Sequence, residues 1–382
     1  MLIIQQPPND QFTMSLFVKL TNKIKVPHNS FYLWSASLHS KDGQKIKQLL
    51  FDNITEDYVV IGIKDHLTSN NFNPWCDTMP DVVGYLNDLF KFYKDKKFIL
   101  FTSLENLNLY LDNENLIIIP WGGDITNQRF TYKSINPITI KNFASNYTYV
   151  SFNRNPRAGR FYSLSLMFGL GLEKYGLISC MFQEQARSAD QHFGWKFTSD
   201  QQPIKYTITK GVEKLANATL PLTDTSNIYE KAGWNNNARN FSDVLSTYYK
   251  DAFIEIINET SYVEKCFLAT EKTSNSILGC CFPIWLSSPG TVKFYREIGM
   301  DVFDDIIDHS YDSIENPIDR MNAAITNNIA LLTDPELAKA LWKKNIIRFL
   351  KNVNFIKTTL FDFYQNRAVN QFNEVLTNEK LH

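Results

Sequence analysis

Cysteine is scarce in this chain. The five thiols (Cys76, Cys180, Cys266, Cys280 and Cys281) are odd in number and form no CxxC pair. That pattern supports neither a disulfide framework nor a zinc site, and it suits a reducing cytoplasm. Cys280 and Cys281 lie in an apolar run and read as buried thiols. No stretch approaches the ~18 consecutive apolar residues of a membrane span. The start, MLIIQQPPNDQF, lacks a basic segment followed by an apolar one, so no secretory signal is expected. A surplus of one charge is also missing. Lys plus Arg number 39 against 40 Asp plus Glu, a net charge of -1, which argues against a generally basic nucleic-acid binder. The usual fingerprints are absent too. Gly169-Leu-Gly-Leu and Gly122-Gly123 complete neither GxGxxG nor Walker A, and neither GxSxG nor HExxH occurs.

What the chain does contain is material for packed cores: 382 residues, 44 % hydrophobic and 14 % aromatic, enough for two domains. Short apolar, β-rich runs alternate with helical patterns. In the first half the runs start at Phe31, Tyr58, Lys97 and Leu116, with helical stretches near 43–51, 81–94 and 103–111. Residues 125–146, with Asn136-Pro137, read as a bridge. The alternation restarts with strands at 147–152, 177–182, 252–257 and 282–286. Helices are expected at 158–173, 239–249, 270–279 and after Ser288-Pro-Gly, with an irregular stretch over 185–225. From 315 onward the pattern is helical, broken near Thr333-Asp-Pro. The expectation is an α/β chain with two Rossmann-like domains, 1–146 and 147–333, facing across a cleft. A helical tail, 334–382, is placed to pack back on the first domain. Ligands of such sheets bind beyond the carboxyl ends of the strands, so the loops after 152, 257 and 286 are where chemistry belongs.

Three constellations fall there. Asn153-Arg-Asn-Pro-Arg-Ala-Gly-Arg160 puts Arg154, Arg157 and Arg160 at a strand-to-helix turn. Helix N-termini favour anions, and guanidinium groups grip phosphate in bidentate fashion. Glu259 follows a strand, and Thr270-Glu271-Lys272 opens a helix with Thr270 as N-cap. A carboxylate here suits ribose hydroxyls, and the ammonium suits phosphate. The ordinary alternatives are a solvated basic turn and plain helix capping. Gly279-Cys-Cys-Phe-Pro-Ile-Trp-Leu-Ser-Ser-Pro-Gly290 reads mainly as architecture, with Ser287 and Ser288 within reach of a ligand.

Residues 147–320 resemble a family of bacterial and phage glycosyltransferase-like proteins related to the α-1,3-fucosyltransferases. The carrying segments are YVSFNRNPRAGRFYSLSLMFGLGLEKYGLIS, FIEIINETSYVEKCFLATEKTSNSILGCCFPIWLSSPGTVKFYREIGM and FDDIIDHSYDSIENPIDRM, in the family's order. They cover just under half of the chain, and ATEKT with the following Gly-Cys-Cys-Phe-Pro is the most specific part. The resemblance implies a GT-B-like pair of Rossmann-like domains with a sugar nucleotide in the second. It implies Glu259, Glu271 and Lys272 at the ribose and diphosphate, and one or two of the arginines on phosphate. Ser274-Asn-Ser and Phe282-Pro283 depart from the common pattern, which leaves the donor's base and sugar open.

The expected reaction is sugar transfer from a nucleotide-diphosphate donor to an acceptor hydroxyl, glycan or other. No cofactor and no metal is called for. Asp301, Asp304, Asp305 and Asp308 are spaced to line one helical face, whereas a DxD metal site wants a loop. The first domain would hold the acceptor and a general base. Asp124 in Pro120-Trp-Gly-Gly-Asp ranks first, because two glycines allow close approach of a substrate. Asp65-His66 and Glu105 follow, each equally readable as a helix-start acid, and Trp121 could stack on a sugar. Two other readings stand beside this one. Lys19, Lys23, Lys25, Lys41, Lys45 and Lys47 make the first fifty residues locally basic, as glycosylation of modified bases in phage DNA would require. A non-catalytic sugar- or nucleotide-binding module would share the fold.

Overall fold

The structure is a computed structural model. It describes residues 2–4, 11–34, 43–64, 82–105, 111, 113–122, 133–153, 157–180, 182, 196–219, 241, 245–259, 262, 267–268 and 270–381. The apolar runs of the first half form a five-stranded parallel sheet. Its strands are β1 (Leu2–Ile4), β2 (His28–Trp34), β3 (Tyr58–Lys64), β4 (Lys97–Thr102) and β6 (Leu116–Pro120), in spatial order β1-β2-β3-β4-β6. Alternate side chains serve two separate cores. Phe31, Leu33, Ile61 and Leu100 face one side, where helices α2 (Gly43–Asp52) and α3 (Val82–Phe92) cover them. Tyr32, Val60, Ile99 and Phe101 face the other, against α1 (Gln11–Thr21). Burial on both faces is why these strands read as continuous apolar runs.

The second half builds a four-stranded parallel sheet from β7 (Tyr149–Ser151), β8 (Gly176–Ile178), β9 (Ile254–Asn258) and β11 (Phe282–Leu286), in the order β11-β9-β7-β8. Every residue of these strands is buried. Pro283 sits in β11, an edge strand, where a missing N–H costs no ladder bond. Helix α4 (Ala158–Gly169) follows β7 and is buried along its length, partly under α5 (Gln202–Asn217). That helix corrects the expectation of irregular structure over 185–225. Its Thr and Ile residues and Pro203 obscured a helical spacing of Ile208, Gly211 and Leu215, the three buried positions. Gly211 is needed for the crossing, since a Cβ there would lie 1.6 Å from the Ser165 carbonyl oxygen of α4. Of the helix expected at 239–249, the described residues show π-helical Phe241 and Leu245 and α6 (Ser246–Asp251); 239, 240 and 242–244 lie outside the described residues.

Two features join the halves. At the end of β4 the chain enters β5 (Leu104–Glu105), where the helix expected over 103–111 would begin; residues 106–110 lie outside the described residues. β5 pairs antiparallel with β10 (Phe267–Leu268), between β9 and helix α7 (Glu271–Leu278). This ties the carboxyl end of the first sheet to the carboxyl end of the second. The C-terminal helices form the other join. After α8 (Thr291–Glu297), α9 (Pro317–Thr326) and α10 (Ile329–Thr333), helix α11 (Pro335–Asn354) packs Trp342, Phe349 and Val353 into the second core. A π-helical turn at Phe355–Thr359 leads into α12 (Leu360–Asn378), whose Ala368, Phe372 and Leu376 complete the first core. Among the described residues no helix is long and apolar enough to cross a membrane.

Candidate functional site

The strand order of the second sheet reverses between β7 and β9: the chain leaves β7 toward β8 on one side and returns to β9 on the other. A reversal opens a crevice at the carboxyl ends of the two strands, because the connections diverge there. β9 ends in Asn258, and Asn153 stands two residues beyond the end of β7; both meet Ser151, the last residue of β7. Ser163 Oγ of α4 donates to Asn258 Oδ1 at 2.9 Å, and Asn258 Nδ2 reaches Ser151 Oγ at 3.3 Å. Asn153 Nδ2 donates to the same Ser151 Oγ at 3.1 Å, and its backbone N–H donates to Ser179 Oγ at 2.9 Å. Asn153 Oδ1 is buried and accepts no hydrogen bond. This polar network under the crevice was missed in the sequence. Its signal was a polar residue closing each apolar strand.

Above the network, α4 starts with Arg157 as an extended N-cap that makes no side-chain cap. Arg160, in the first turn, is 5 % exposed. Ser163 Oγ also donates to the Arg160 carbonyl at 3.0 Å, so this turn lies against the end of β9. The helix dipole and two guanidinium-bearing residues thus converge where the strand order reverses. Arg154, the third arginine, lies outside the described residues.

The next residue after Asn258 is Glu259, buried at 5 % exposure. Its carboxylate accepts from Thr270 Oγ1 at 2.7 Å and Thr273 Oγ1 at 3.3 Å, and Lys272 Nζ stands 3.6 Å away. Thr270 is the N-cap of α7, accepting from the Lys272 backbone N–H at 3.3 Å, and Lys272 Nζ also lies 3.5 Å from Glu271. Glu259, Thr270, Glu271 and Lys272 therefore form one cluster. Within it Glu259 spends its lone pairs on organising the start of α7. Beneath them Glu255, in the middle of β9, accepts from Tyr249 Oη at 2.8 Å. Burial pushes its carboxyl up to about 8, against the pull of Tyr249 and Ser276.

The third strand-to-helix junction, from β11 to α8, is closed by the chain itself. Asp312 Oδ1 and Oδ2 accept from the backbone N–H groups of Val292 and Lys293 at 3.0 and 2.9 Å, filling the place of an external anion. Burial raises the Asp312 carboxyl and these two amides oppose the shift. Ser287 and Ser288 are buried here, with Ser287 Oγ 2.9 Å from Thr291 Oγ1, so they serve the turn. Arg320 of α9, unnoticed in the sequence, is 2 % exposed. Its guanidinium donates to the carbonyls of Ser287 (2.9 Å), Ile314 (2.6 Å), Glu315 (2.8 Å) and Tyr262. It pins the loops after β9 and β11 together.

On the acceptor side Asp65, His66 and Asp124 lie outside the described residues, and Glu105 is described only as part of β5. Two supporting expectations are corrected. Trp121 is fully buried among Phe17, Tyr32 and Phe101, so its ring is not offered to a sugar. Gly122 has φ 61°, and a Cβ there would meet the Tyr364 ring at 2.4 Å; the close neighbour that requires glycine is α12. The aspartates at 301–308 do not share a helical face. Arg348 pairs with Asp301 and Asp305, Arg296 pairs with Asp304, and Asp308 caps Ser310. Asp304, Asp305 and Asp308 border a surface depression of about 580 Å³, with Asp304 and Asp305 already paired to arginines. Among the described residues no group of three His, Cys, Asp or Glu could hold a metal ion. Among the described residues the early lysines do not share one face either: Lys19 belongs to α1 and Lys45 and Lys47 to α2, on opposite sides of the first sheet, and Lys41 lies outside the described residues.

No family model, no curated protein and no solved structure matches this chain.

Proposed function

We propose that the chain is a glycosyltransferase that takes a sugar from a nucleotide-diphosphate donor bound at the carboxyl end of the second sheet. The observation that carries this reading is the reversal of strand order between β7 and β9, with the start of α4 and its arginines on one side and Lys272, ion-paired to Glu259 and Glu271, on the other. A departing diphosphate gains negative charge. The start of α4, Arg157, Arg160 and the Lys272 ammonium supply fixed positive potential without a metal ion. Asn153 Oδ1 offers an acceptor for a donor hydroxyl. Glu259 holds Lys272 and the first turn of α7 in place for that contact. The β5–β10 pairing sets the two carboxyl ends against each other, which suits a GT-B-like cleft with the acceptor on the first sheet and closure that excludes water. Among the described residues, Lys19 on one side of the first sheet and Lys45 and Lys47 on the other do not favour the DNA-acceptor reading.

Calorimetric titration with a panel of nucleoside diphosphates tests this. One of them binds the parent chain, and Arg157→Ala and Lys272→Ala each weaken it about 10- to 100-fold, the value of a lost charge-assisted hydrogen bond. Lys272→Ala is also expected to lower the melting temperature without nucleotide, because it leaves the buried Glu259 carboxylate without its ammonium, so affinities are compared at a temperature where each variant is folded. Unchanged affinity in both removes the diphosphate site, and with it the transferase.

A further inference from the structure

Helix α11 has two unlike faces. Trp342, Phe349 and Val353 enter the second core. On the opposite side Leu337, Ile347 and Leu350 are exposed together with Lys343, Lys344 and Lys351. Ile347 is 61 % exposed, and the spacing 337, 343, 344, 347, 350, 351 keeps these residues on one stripe. The segment before β7 continues the surface. Ile140 is 80 % and Phe143 36 % exposed, and Lys343 Nζ sits 4.3 Å from the Phe143 ring centre. Of the nine large apolar side chains exposed among the described residues, five belong to this patch. The only carboxylate within α11 is Glu336, paired with Lys339 at 2.7 Å, and residues 133–148 contain none. Asp251, at the border, is held by Asn142 at 2.8 Å.

We propose that this face docks the protein on an anionic lipid surface. Exposed apolar side chains interleaved with lysines match the boundary between acyl chains and negative headgroups. The lysine stems extend across that boundary while their ammonium groups meet phosphate. A second copy of the chain is a poor occupant. Twofold pairing of this face would set Lys343, Lys344 and Lys351 against their copies, while the carboxylates of and beside α11 are already engaged, Glu336 with Lys339 and Asp301 and Asp305 with Arg348. The inference is independent of the donor site.

Vesicle co-sedimentation of the full chain tests it, with phosphatidylcholine vesicles compared with vesicles carrying phosphatidylglycerol. Binding to the anionic vesicles is expected to be at least tenfold tighter and to weaken as salt rises. The variant Lys343→Glu/Lys344→Glu/Lys351→Glu loses roughly a hundredfold or more. Ile347→Ser, which keeps every charge, weakens binding severalfold and makes it fail at lower salt. All these side chains are exposed, so melting temperatures stay at the parent value. Absence of vesicle binding, equal binding to neutral and anionic vesicles, or undiminished binding by the triple variant overturns the proposal. A dimer in light scattering that Ile347→Ser dissolves also overturns it and assigns the face to a second copy.

Discussion

Replacing Glu255 by glutamine probes the floor of the candidate site directly. In the fold this carboxyl is fully buried in β9 and ionises near about 8, whereas the unperturbed group ionises near 4.5. The unfolded chain therefore releases the proton first as pH rises. The stability associated with Glu255 is complete below about 4.5 and is lost as pH climbs through about 8. Each pH step in that window costs the native state about 1.4 kcal/mol, roughly 3 kcal/mol by pH 7. Glu255→Gln removes the titration and keeps the shape. The amide still accepts from Tyr249 Oη, but its added N–H finds no assured acceptor, at a cost of about 1–2 kcal/mol. The variant is thus expected to be less stable than the parent at pH 5 and more stable by about 1–2 kcal/mol at pH 7 to 8. Urea unfolding of both proteins across this range measures it, because every other titrating group cancels in the difference. Parallel stability curves for parent and variant would refute the reasoning, since they would show that Glu255 has the same proton affinity folded and unfolded.

Other outcomes follow from packing. Gly211→Ala forces α4 and α5 apart and lowers stability by about 2 kcal/mol despite the better helix propensity, read from the thermal midpoint. Arg320→Lys cannot serve the four carbonyls that the guanidinium fork serves. It is expected to cost roughly 3 kcal/mol and to increase proteolysis in the loops after β9 and β11. Phe372→Ala empties a site 5.5 Å from the Phe101 ring, at a cost of roughly 3–5 kcal/mol. Limited proteolysis should then remove α12 first, and retention of α12 would show that it does not depend on the first core.

The strands were the most legible part of the sequence. β3, β4, β9 and β11 are buried on both faces, so nearly every residue in them is apolar and each run stands out between polar turns. The Thr270 cap was legible for a local reason, since a hydroxyl placed just ahead of a helix finds the amide two residues on. Helix α5 was hidden because Gly211 and a series of Thr and Ile residues weaken local propensity, while contact with α4 supplies what propensity lacks. Trp121 was misread because a strand end gives no indication of what lies over it. Here that is α1, with α12 packed on the same core.

The sequence alone located the buried strands β2, β3, β4, β6, β7, β9 and β11 and several of the helices, because periodicity and capping act over a few residues, while α5 and β5 took their conformation from tertiary contacts. It also bounded the chemistry, through the absence of cysteine pairs, membrane-length runs and a charge surplus. Only the tertiary structure decided the strand order, and so where the sheet splits to make a crevice. Only it decided that Glu259 turns toward α7, that Asp312 fills the start of α8, and that α12 crosses to the first sheet. These outcomes depend on groups distant in the chain meeting in space, and the pairing of buried donors, acceptors and surfaces is settled by the whole fold.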